Sequence, residues 1–79
     1  KSKQTERKMA EIIIALFERS TSFANAKKLV GLVESLEVWE PSFSARIESA
    51  VKNNSQVNGS WGVPERADAL IKKWGKSGV

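Results

Sequence analysis

Apolar residues recur at helical spacing from the first quarter of the chain onward. Spaced at about 100° per residue, Met9, Ile12, Ile13, Leu16 and Phe17 share one face. Ala10 and Ile14 widen that face, while Arg7, Lys8, Glu11, Ala15, Glu18 and Arg19 occupy the other. The pattern predicts a helix from Gln4 to Arg19 whose apolar stripe is broad enough to meet more than one neighbour. Arg7 and Glu11 stand four residues apart, the spacing of a weak ion pair along the helix. Ser20, Thr21 and Ser22 then break the pattern with hydroxyls suited to capping a new helix.

A second helix is predicted from Phe23 to Leu36, with Ala26, Leu29, Val30, Val33 and Leu36 on one face and Leu32 at its edge. Pro41 suits the first turn of a third helix running to Asn53, with Phe43, Ile47, Ala50 and Val51 inward. Asn54 falls on that same stripe, where a polar side chain needs partners, so it is expected to cap the helix end or brace the next loop. Asn58-Gly59 and Trp61-Gly62 mark a loop from Ser55 to Val63. Pro64 opens a fourth helix, with Ala67, Leu70, Ile71 and Trp74 inward and Gly75 as its stop. No segment alternates as a strand does. The expectation is an all-α fold of four short helices in two antiparallel hairpins, a small bundle or a HEAT-like piece, since the hairpins recur at the ~40-residue period of such repeats. Leu16, Leu29 and Ile47 are the expected core positions.

At 79 residues the chain makes one domain over residues 1–79, and the absence of Met at position 1 reads as a fragment of a longer chain. Cys and His are both absent, which removes disulfides, thiolate nucleophiles, imidazole bases and the usual zinc ligand sets. The longest apolar run, Ile12 to Phe17, is far short of the roughly 20 residues needed to cross a bilayer. With Glu6, Glu11 and Glu18 around it, this run is not a signal peptide either. These features fit a cytoplasmic, non-enzymatic protein without cofactor or metal.

The net charge of +4 brings nucleic acid onto the list of partners. The charge gathers at the two ends, in Lys1, Lys3, Arg7 and Lys8 and in Lys72, Lys73 and Lys76. If the ends meet, Lys72, Lys73 and Lys76 are the candidate phosphate contacts. The same lysines also complement the negative end of the fourth helix. Glu34, Glu37 and Glu40 are the best carboxylate cluster, but no His or Asp completes a ligand set, and they read as a solvated helix end. Two glycosylation sequons, at Asn53 and Asn58, are discounted as common chance patterns without a secretory signal.

Three Trp residues are many for so short a chain. Trp74 reads as core, whereas Trp39 and Trp61 lie outside the predicted helices and read equally as core, with Trp39 beside Pro41 stapling the third helix, or as partner anchors, Trp being frequent at binding hot spots. The stretch Asn53-Asn54-Ser55-Gln56-Val57, followed by Trp61-Gly62-Val63-Pro64, resembles helical segments appended to effector domains in bacterial multidomain proteins, such as those with Toll/interleukin-1-receptor-type domains. The resemblance covers about the last 40 residues. It implies an accessory module and transfers no site residue. The functional expectation is a non-catalytic protein-interaction or scaffolding module attached to another domain. A nucleic-acid-binding domain is the alternative. The wide first stripe adds the option of a weak homodimer.

Overall fold

Breaks in the apolar pattern become helix boundaries. The structure, a computed structural model, describes residues 3–75. They form α1 (Lys3–Glu18), α2 (Phe23–Glu34), α3 (Pro41–Asn53), α4 (Ser55–Asn58) and α5 (Val63–Trp74). All the regular structure among the described residues is helical. The expected four helices become five, because the stretch read as a loop contains the single turn α4. Asn54 starts it by accepting a hydrogen bond at Oδ1 from the Gln56 amide, 2.8 Å. The Asn54 amide group also donates to the carbonyls of Glu18 (3.0 Å) and Ser20 (3.2 Å), tying the end of α3 to the end of α1. Cap and brace are thus one residue.

Ser22 caps α2, its Oγ accepting from the Asn25 amide at 3.0 Å. Pro41 takes the first turn of α3, as its missing N–H allows. Gly62 precedes α5 with φ +84°, a left-handed conformation that favours glycine, and Gly75 ends α5 with φ +76°. Helix α1 packs against α2 and α3, and α5 packs against the same two. The core is one cluster, centred on Ile14, Phe17, Val30, Val33, Phe43, Ile47, Val57 and Val63. The Cα envelope measures 34 × 21 × 17 Å, about two helix diameters in each short direction.

That cross-section overturns part of the expected core. Met9, Ile12 and Leu16 are 56%, 60% and 51% exposed, whereas Ala10, Ile14 and Phe17 are buried completely. With α2 against one flank of α1 and α3 against the other, the inward arc is set by those two neighbours. No third helix among the described residues covers the outer apolar arc. Ile13 lies between the two arcs and is partly buried. The expected Arg7–Glu11 pair is also replaced. Arg7 meets Glu40 (Nε–Oε2 3.3 Å) and Glu11 meets Arg46 (Oε1–Nη1 3.0 Å), both across helices.

Candidate interaction surfaces

Trp39 and Trp61, alike in sequence context, have opposite surroundings. The Trp39 ring stacks on Trp74 with centroids 5.2 Å apart and planes within 1°, and meets Phe43 edge-on at 5.6 Å. Its Nε1 donates to Ser44 Oγ at 2.9 Å, and Ser44 in turn donates to the Gly75 carbonyl at 3.1 Å. Trp39 therefore clasps the linker before α3 to the end of α5. Trp74, read as core, is partly buried as the other half of that stack.

Trp61 is 92% exposed. Its loop is nevertheless well fixed. Ser60, buried, donates from Oγ to the Phe23 carbonyl at 2.7 Å, and the Ser60 carbonyl accepts the Val63 amide at 3.0 Å. Phe23, itself exposed, lays its ring edge against Gly59, where an added Cβ would stand 3.0 Å from Phe23 Cε1. The same Cβ would stand 3.0 Å from the Ser55 carbonyl oxygen, so a larger residue fits only if these neighbours give way. The result is a large apolar ring held out in water on an ordered turn, with a second aromatic packed on Gly59, two residues before it. Exposure of this kind is unusual for a side chain whose burial is worth so much.

The basic residues are divided. Arg7 reaches Glu40, next to Trp39, and Trp39 stacks on Trp74, so both ends of the described chain come to the linker before α3. Lys72 pairs with Asp68 one turn back (3.3 Å), and the Lys73 ammonium sits 5.4 Å from the Trp74 ring centre. Lys76 lies outside the described residues.

Two arginines unremarked in the sequence hold three of the nine carboxylates. Arg46 binds Glu18 through both Nε (3.0 Å) and Nη2 (2.8 Å) while also holding Glu11. Arg66 binds Glu34 the same way, with Nε–Oε2 at 2.8 Å. Fork-to-carboxylate bonds favour the ionised acid, so Glu18 and Glu34 are held below the usual carboxylate range, and Arg46 and Arg66 are raised above theirs. Of the acidic trio, Glu34 is thus spent on Arg66 and Glu40 on Arg7. A general acid needs the opposite shift. No group of three or more potential metal ligands occurs among the described residues. No helix among them is long and apolar enough to cross a membrane. The signal for these clamps was present only as residue type, since partners 28 and 32 residues apart are not paired by any local rule.

An apolar groove of about 500 Å³ lies between α1 and the end of α2, lined by Met9, Ile13, Leu32, Leu36 and Val38 together with Glu6 and Glu37. A smaller cleft of about 400 Å³, lined by Glu18, Ser49, Asn53 and Asn54, is polar and open. No family model, curated protein or solved structure matches the chain.

Proposed function

We propose that this chain is a non-catalytic helical module that binds a protein partner, with Trp61 as the anchor. The observation that carries the reading is the exposed Trp61 ring on a turn fixed by Ser60, beside Phe23. A rigid, amphipathic aromatic loses little side-chain entropy on binding and buries a large area, which is why such residues dominate interface energies. Trp39, the second anchor candidate, is occupied in the clasp with Trp74 and serves as scaffold. The packing of α1 with α2 and of α3 with α5 supports a reading of two hairpins, and the resemblance of the Trp61 segment to effector-linked helical segments supports an accessory role. Nucleic-acid binding through Lys72, Lys73 and Lys76 has weaker support, because Lys72 and Arg7 already hold internal carboxylates.

The test compares Trp61→Ala with Lys72→Ala/Lys73→Ala/Lys76→Ala. Trp61→Ala is expected to leave the melting temperature unchanged and to abolish cross-linking to the partner from a photoreactive group placed at the exposed Glu65, one turn further along. The triple lysine variant is expected to keep that cross-linking. Wild-type protein should bind duplex and single-stranded DNA and RNA only weakly, with binding lost as salt rises to physiological levels. Tight, salt-resistant nucleic-acid binding that vanishes in the triple variant would replace this reading with the alternative.

A further inference from the structure

The uncovered face of α1 has a sidedness that selects its occupant. Around the helix, starting from α2, come Glu6 and Ile13, then Met9 and Leu16, then Ile12, then Arg19 and Lys8. Beyond these, Glu11 and Glu18 face Arg46 of α3. An exposed apolar ridge of Met9, Ile12 and Leu16 is therefore bordered on one side by the apolar groove that carries Glu6 and Glu37, and on the other by a basic edge of Lys8 and Arg19. Glu6, Glu37 and Lys8 have no ion-pair partner among the described residues, and Arg19 acts on Glu18 without a direct ion pair.

We propose that this face binds a second copy of the chain, as a weak two-fold dimer in which the two α1 helices run parallel. A two-fold axis along α1 turns the basic edge of one copy toward the groove of the other. Lys8 then lies opposite the partner's Glu6, about 3 Å away along the helix axis, and close to the pole that carries Glu37. An antiparallel pairing sets Lys8 and Arg19 against the same basic edge of the other copy, which like-charge repulsion opposes. The charge pattern thus names both the occupant and its direction. A face two helices wide and as long as α1 buries roughly 1,000 Å² in total, the size of transient interfaces. The dimer should accordingly form only at high chain concentration. It shares no residue with the Trp61 surface, so either can fail without the other.

Sedimentation equilibrium from micromolar to millimolar chain tests this. Wild type should show reversible monomer–dimer exchange. Ile12→Glu should weaken association about tenfold or more, since it would bury an unpaired carboxylate. Its melting temperature measured in the dilute monomer should hold, because Ile12 is exposed there. Lys8→Glu and Glu6→Lys should each weaken the dimer, and the double variant should restore it. These two residues are separated by two positions on one helix and do not face each other within a chain. The natural chain has no Cys, so Met9→Cys and Leu16→Cys report direction. In the parallel dimer each variant forms a disulfide with itself under oxidation. Monomer at all concentrations, a dimer indifferent to Ile12→Glu, a double variant that is not restored, or cross-links only in a mixture of the two Cys variants would overturn the proposal.

Discussion

Ser44 joins more of the structure than its size suggests. It is buried, accepts the Trp39 indole N–H and donates to the Gly75 carbonyl, so one hydroxyl fixes the linker before α3 and the end of α5. Ser44→Ala leaves the indole N–H without its partner and should cost about 1–3 kcal/mol, read as a lower denaturant midpoint. The apolar positions separate just as sharply. Ile47→Ala and Leu29→Ala should each cost about 2–5 kcal/mol, a large share of the stability of so small a domain. Leu16→Ala should cost less than about 1 kcal/mol, because half of its surface already meets water. Thermal melts of the three variants check the ordering, and an equal loss at Leu16 would mean that α1 is turned differently on its neighbours.

The helices are joined by a few cross-element devices, each with a measurable signature. Arg46 clamps α3 to α1, and Arg66 clamps α5 to α2. Glu18 and Glu34 have folded-state pKa values below the ordinary 4.5. For a lowered carboxylate the stabilisation is fully present above the unfolded value and is lost as pH falls through the folded one. The melting temperature should therefore be level from neutrality down to about pH 5 and then fall. Glu18→Gln should lower it at neutral pH by an amount equivalent to about 1 kcal/mol, solvent screening keeping the effect small, and should flatten the acid limb. A steeper acid limb in that variant would contradict the assignment. The α2 cap gives a further check, with Ser22→Ala costing about 1 kcal/mol.

For the molecule as a whole, the tryptophans give a built-in report. Trp39 and Trp74 are stacked and partly buried, while Trp61 stands in water. Acrylamide should quench one component of the native fluorescence readily, and Trp61→Phe should remove that component while sparing the rest. A single core cluster further implies that circular dichroism and the remaining tryptophan emission lose signal together on heating. Two separated transitions would show that the helix pairs unfold independently.

Much of this was legible in the chain itself. Helical periodicity, the Ser22 cap, Pro41, Asn54 and Gly75 located the long helices, because caps and breakers act within a turn or two of the residue that carries them. The start of α4 was missed because a single turn leaves no periodicity to detect. Which arc of α1 turns inward was not legible either. Met9, Ile12 and Leu16 are as apolar as Ile14 and Phe17, and only the positions of α2 and α3 divide them into surface and core. The same holds for Trp39 and Trp61, two linker tryptophans of which one found a stacking partner 35 residues later and the other none among the described residues. Composition and local pattern set the class of fold and, to within about two residues, the bounds of the four long helices. Which side chains face water depends on contacts between residues far apart in sequence, and these exist only once the helices have packed.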